Sequence, residues 1–166
     1  MRNLCLIATL LLFGLMSCNQ SGKNSAATTD ADSTMNHHDM SAVSNQQPLP
    51  EVPDGAKVFF RNLKDGQTVT DPFTVEMGIT GMSVDSSGKV RPGSGHHHLI
   101  IDGGDSIPAG TVVPQDATHL HFGNAQTETK LDLTPGKHTL TLQFADGLHR
   151  SYGSKLAASI TVTVKK

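Results

Sequence analysis

The chain has 166 residues, 13 of them basic and 15 acidic, with a formal net charge of −2 and no Trp. That length allows one ordinary domain, and the 4% aromatic content implies a modest core built from Val, Ile, Leu and Phe. The balanced charge offers no clustered basic face, which excludes nucleic acid as the partner.

The first stretch with a definite meaning is a targeting signal. Arg2 precedes an apolar run from Leu4 to Met16, a charged n-region and an h-region too short for a comfortable membrane span. Leu15-Met16-Ser17-Cys18 then has the form of a bacterial lipobox, in which cleavage before the Cys is followed by its acylation. Residues 1–17 are expected to be the lipoprotein signal peptide, with lipidation at Cys18. Cys5 then leaves with the signal, and no thiol remains for a disulfide or a metal site. The expected location is the cell envelope, anchored by lipid and extracytoplasmic, facing the periplasm or exposed at the surface, with the membrane as a partner through Cys18.

Residues 18–55 read as a disordered tether. Between Asn19 and Pro53 the chain is Ser, Asn, Thr, Gln, Ala and Asp with almost no apolar content, so it cannot bury enough surface to offset the entropy of ordering. Some 35 residues of this kind would hold the domain on the order of 30 Å from the membrane surface. Within it, Met35-Asn36-His37-His38-Asp39-Met40 brings thioether and imidazole together, a combination suited to copper, above all Cu(I), rather than to hard cations. A chance scatter of polar residues in a linker is the bland alternative for that motif.

From residue 56 to 166 the texture changes to short apolar runs punctuated by Gly, Pro and Asp. Lys57 to Asn62 predicts a first strand, closed by the Asp65-Gly66 turn. Phe73 to Ile79 alternates Phe73, Val75, Met77 and Ile79 against polar residues, the pattern of a half-buried strand. Met77 is then expected to fill the core, and Met82 stays open as a copper ligand. Residues 81–95 read as loop. Strands follow at 96–102, 119–122, 127–133, 137–144 and 158–164, with Thr134-Pro135-Gly136 a strong turn between the third and fourth of these. Seven short strands with turn signals at this spacing, and no convincing amphipathic helix, predict an all-β fold: an immunoglobulin-like antiparallel β-sandwich.

Five of the nine histidines lie in two of those segments, Gly95-His96-His97-His98-Leu99-Ile100-Ile101-Asp102 and Thr118-His119-Leu120-His121-Phe122-Gly123. In an extended chain, His119 and His121 share one face and Leu120 and Phe122 the other, which places the two imidazoles roughly 7 Å apart at the backbone. His96 and His98 form a second such pair, with His97 facing the opposite side. Two His-x-His pairs from nearby strands can supply three or four ligands to one ion, zinc or copper fitting nitrogen donors best. The tether's Met and His tip the choice toward copper. His119 and His121 head the expected ligand set, followed by His96 and His98; His138, Met35, His37, His38 and Met40 are the additional candidates. Asp102 and Glu128 are read as partners that orient a ligating ring, and His149 as part of a solvated turn. The bland alternative is a structural or protein-interaction module, in which the imidazoles form a polar clasp for the two long loops.

Lys64-Asp65-Gly66-Gln67-Thr68-Val69-Thr70-Asp71-Pro72-Phe73-Thr74-Val75, Gly81-Met82, the triple-His block, His119-Leu120-His121-Phe122-Gly123, Gln126-Thr127-Glu128 and Pro135-Gly136-Lys137-His138-Thr139-Leu140 resemble the motif set of the domain of unknown function 4399 family. The resemblance spans about Lys57 to Val164. It implies a small secreted or lipid-anchored β domain of undetermined activity, so the functional expectation rests on the residues: binding of a transition-metal ion without catalysis. No nucleophile elbow, catalytic Cys, phosphate-cradling loop or carboxylate pair stands out. Glu128 is the one candidate base for a metal-dependent hydrolase, should three histidines leave an open position on the ion.

Overall fold

The computed structural model describes residues 47–166. The leader with Cys18 and the tether motif with Met35, His37, His38 and Met40 lie outside the described residues. Nine strands run in chain order: β1 Lys57–Phe60, β2 Gln67–Thr70, β3 Phe73–Thr80, β4 Ser83–Val84, β5 Ser94–Ile101, β6 His119–His121, β7 Glu128–Leu131, β8 Gly136–Ala145 and β9 Ala157–Lys165. A single 3-10 turn, Gly153–Leu156, precedes β9. Among the described residues, no helix is long and apolar enough to cross a membrane.

The strands form two sheets. The smaller has the order β1-β3-β7, and the larger β2-β9-β8-β5-β4, with β6 also paired to β5. Between them lies the main core. Val58, Phe73, Val75, Met77 and Leu131 come from the small sheet, and Val69, Leu99, Ile101, Leu140, Leu142, Val162 and Val164 from the large one. The period-2 alternation of each strand produces this sandwich directly, because every second side chain points inward. Met77 is fully buried there, whereas Met82 packs against a second cluster around Phe144, Tyr152 and Leu156.

Two strands pair in parallel. β2 joins β9 and β4 joins β5, so the large sheet is mixed rather than purely antiparallel. β4 is two residues long, too short for any periodicity to register.

A larger departure concerns the outer face of the large sheet. The alternation of β8 assigns Thr141 and Gln143 to solvent, yet both are fully buried. The 102–118 connection and the segment after β8 roof that face. Gln143 Oε1 accepts a hydrogen bond from the Ile107 amide at 2.9 Å, and its Nε2 donates to the Gly153 and Leu156 carbonyls at 3.1 Å each. The roof is itself stitched together: Val113 N donates to His149 O at 2.9 Å, and Ser151 N to Thr111 O at 2.8 Å. As a result β5 is buried along its whole length, on the core side and on the roofed side alike.

At the far end of β8, His138 forms a clasp. Its Nδ1 lies 2.8 Å from Asp102 Oδ2 and its Nε2 2.8 Å from the Thr134 carbonyl. Both partners are acceptors, so both ring nitrogens must donate, which selects the imidazolium. The Asp102 hydrogen bond, with the Thr134 carbonyl, raises the His138 pKa above its ordinary value against the opposing effect of burial. Partial burial pushes the Asp102 carboxyl up, and the His138 and Thr139 hydrogen bonds outweigh it and hold the group below the usual range. Because the folded pKa of His138 is raised, its contribution is complete below the unfolded value near 6.5 and fades as pH climbs through the folded value. The melting-temperature gap between wild type and His138→Gln should therefore be wider at pH 6 than at pH 9; a gap independent of pH across that window would contradict the clasp.

Candidate metal centre

The register of β5 and β6 decides which histidines meet. β6 pairs antiparallel with β5 so that His121 stands opposite His98 and His119 opposite Ile100. On the other flank β8 sets Ala145 opposite His96 and Gln143 opposite His98. His96, His98 and His121 thus share the roofed face at one corner of the sheet. The chain leaves β8 at that same corner and turns through Asp146-Gly147-Leu148-His149-Arg150, which delivers a fourth imidazole.

One nitrogen from each of His96, His98, His121 and His149 falls within 4.8 Å of the others. His98 Nε2 is 3.0 Å from His96 Nε2, and His96 Nε2 is 3.2 Å from His149 Nδ1. For bonds of 2.0–2.1 Å, a tetrahedral ion needs ligand nitrogens about 3.3 Å apart, and these two spacings are close to that. The ring centroids of the set lie 4.7 to 5.9 Å apart, mostly tilted or edge-on. They are not stacked.

Hydrogen bonding among the rings cannot satisfy them all. A neutral imidazole has one N–H and one lone pair, and His96 Nε2 faces both His98 Nε2 and His149 Nδ1. It can form one good bond, leaving the other contact as lone pair against lone pair or as a poor shared one. His121 Nε2, His96 Nδ1 and His98 Nδ1 are buried without a hydrogen-bond partner among the described residues. The polar-clasp alternative requires rings engaged by loop carbonyls, which these are not.

Electrostatics favour neutral, lone-pair-bearing rings. Burial, reinforced by the neighbouring imidazoles, drives the His98 pKa down to about 2. Burial also takes His96 to about 4, with His149 and His121 adding to the effect and the Asp146 carboxylate opposing it. His121 is lowered by burial and then by His149. Neutral imidazole is the form that ligates metal.

His149 is held by a compact device. Its backbone is left-handed at φ 64°, an uncommon conformation for a residue with a side chain. Asp146, fully buried, accepts hydrogen bonds at 2.9 Å from the Leu148 and Arg150 amides through Oδ1. Its Oδ2 accepts from Arg150 Nε at 2.8 Å. The Arg150 guanidinium also bonds the Gln47 carbonyl. The turn is fixed from within, and the His149 ring is aimed at the sheet instead of at solvent.

The other expected ligands stand elsewhere. His119 occupies the same face of β6 as His121, but its Nδ1 is drawn to the Asp116 carboxylate at 2.9 and 3.0 Å, outside the converging set. His138 belongs to the Asp102 clasp at the opposite end of β8, so neither His138 nor Asp102 serves the cluster. Glu128 is exposed on β7 in the other sheet and cannot orient these rings. His97 faces the core side, edge-on to Phe144 at 5.0 Å and 69°; burial and then Arg61 bring its pKa to about 4, and nothing in the structure gives its two unpartnered nitrogens a role.

A family model described as "Domain of unknown function (DUF4399)" matches residues 75–165. The chain belongs to this family. The DUF4399 match runs from β3 into β9 and contains all four converging histidines. No curated protein and no solved structure matches the chain.

One glycine of this DUF4399 domain is dictated by the cluster. A Cβ at Gly123 would lie 2.3 Å from both Cε1 and Nε2 of His121 and 2.7 Å from Ser87 Oγ, so the ring lies along a backbone that tolerates no side chain. Gly123→Ala should push His121 out of the set and cost about 1–3 kcal/mol in denaturant unfolding. Unchanged stability together with unchanged His121 ring resonances would show that the contact is slack.

Proposed function

We propose that this domain binds one transition-metal ion through His96, His98, His121 and His149, with copper the favoured ion and zinc the alternative. The observation that carries the reading is the convergence of four imidazole nitrogens whose near partners are one another. A cation at their centre would replace lone-pair repulsion by four coordinate bonds. Four nitrogen donors without a carboxylate suit copper or zinc and not Mg²⁺ or Ca²⁺. Copper is preferred because Cu²⁺ heads the divalent affinity order for such donors, and because Met35, His37, His38 and Met40 on the same chain add soft and imidazole ligands suited to Cu(I).

The role we assign is metal buffering, transport or sensing in the cell envelope, with the chain anchored by lipid at Cys18. The Arg2 to Met16 leader and the Leu15–Cys18 lipobox support that placement. Binding, not catalysis, is the proposed activity, since the four rings supply ligands and the neighbouring Asp146 carboxylate is taken up by the Leu148 and Arg150 amides and the Arg150 guanidinium.

Calorimetric titration of the purified chain with Cu(II), Cu(I) and Zn(II) tests this reading. One ion per chain is expected, and His121→Ala or His149→Ala should weaken binding at least about 100-fold, because loss of a ligand exceeds the 10–100-fold typical of losing an outer partner. Saturation at 100 times Kd should raise stability by about 2.7 kcal/mol, visible as a higher Tm. No binding tighter than millimolar would overturn the reading in favour of a structural or protein-interaction module.

A further inference from the structure

His119 stands apart from the four-histidine set, yet it is built like a metal ligand. Its Nδ1 meets both oxygens of Asp116, and Asp116 is itself fixed by the Thr118 amide and hydroxyl at 2.8 Å each and by the His119 amide at 2.9 Å. A carboxylate on one nitrogen places the proton there, turns the ring and makes the other nitrogen more basic, which is how proteins prepare an imidazole for a metal. Among the described residues no hydrogen bond engages His119 Nε2. The His119 bond, ahead of the Thr118 bonds, holds the Asp116 carboxyl well below the usual range, so the charge behind the ring persists.

Position gives this pair its significance. His119 is two residues before His121 on the same face of β6, about 7 Å along the strand, and it retains 24% side-chain exposure. His96 and His98, by contrast, are 0% and 1% exposed. A hydrated ion cannot reach those rings without first losing water. A partly exposed imidazole at the margin allows that loss in steps: one water leaves as Nε2 of His119 bonds, and His121 then displaces another. Asp116 stands at this edge, and the 102–118 connection that carries it has no Lys or Arg, so its carboxylate draws cations here.

We infer that His119, oriented by Asp116, is a capture ligand that takes a hydrated divalent metal ion from solution and passes it to the four-histidine centre. The inference rests on the metal-binding reading above and deepens it. Each exchange swaps a water of the ion for a ring-nitrogen lone pair, with no electron transferred. Asp116 is a positioning residue in this step. A capture ligand lowers the barrier in both directions, so it changes rates and leaves the equilibrium alone.

Stopped-flow uptake of Zn(II) and of Cu(II) by the full chain, with the ion released to a competing chromophoric chelator for the reverse rate, tests the inference. His119→Gln should slow association about tenfold, a value at the low end of what steering and local capture contribute, and slow dissociation by the same factor, with Kd unchanged. Asp116→Asn should slow both rates less, since the ring survives without its orientation. Association rates equal to wild type in both variants would overturn the inference while leaving the centre intact. A raised Kd in His119→Gln would also overturn it, by making His119 a ligand of the bound state. If the wild-type chain takes up neither ion, the metal reading and this inference fall together.

Discussion

Imidazoles are poor residues to bury on a strand that is covered on both faces. Each buried polar atom left without a partner costs about 1–3 kcal/mol, and β5 carries three consecutive histidines with almost no exposure. The rest of the domain is arranged around that cost. The sandwich core takes the Leu99 and Ile101 side of β5, and the 102–118 connection and the turn after β8 cover the other. What the roof encloses at one corner is not a fully satisfied hydrogen-bonded network but four rings whose nitrogens face one another. Such a corner is under-satisfied as a piece of protein architecture and well satisfied as a set of ligands.

Much of this geometry was legible in the chain. A period of two assigns His96 and His98 to one face of β5 and His97 to the other, and the structure has that arrangement. The inward residues of β3, β8 and β9 likewise follow from alternation alone. Membership of the DUF4399 family agrees with the resemblance carried by the triple-His block and His119-Leu120-His121-Phe122-Gly123. Alternation failed where a loop, and not solvent, met the second face: Thr141 and Gln143 look outward-facing in the sequence and lie under a roof. Parallel pairing of β2 and β4 was also out of reach, because short strands carry no record of their partners' direction.

The site shows the same division. His119 and His121 are equivalent by spacing, but the pairing register puts His121 beside His98 and His119 beside Ile100, and the Asp116 carboxylate claims His119. Register between two strands is a tertiary property. His149 comes from a turn, where periodicity says nothing about side-chain direction, and its ring is aimed by the Asp146 and Arg150 pair. The sequence reads His149 as part of a solvated turn; what brings it to the site is the pairing of β8 with β5, which sets Ala145 opposite His96 and so delivers the following turn beside that ring.

The three strand-borne histidines and the one from the turn are held in place by different means. Backbone pairing fixes His96, His98 and His121, and Asp146 fixes His149, so the proposed binding of an ion would need little reorganisation. The most direct test is anomalous diffraction at the copper and zinc edges from crystals grown with each ion. A single dominant peak about 2.0–2.1 Å from one nitrogen each of His96, His98, His121 and His149 is the predicted result. Density for an ion elsewhere on the domain with this corner empty, or rings turned apart to bond protein groups, would contradict it.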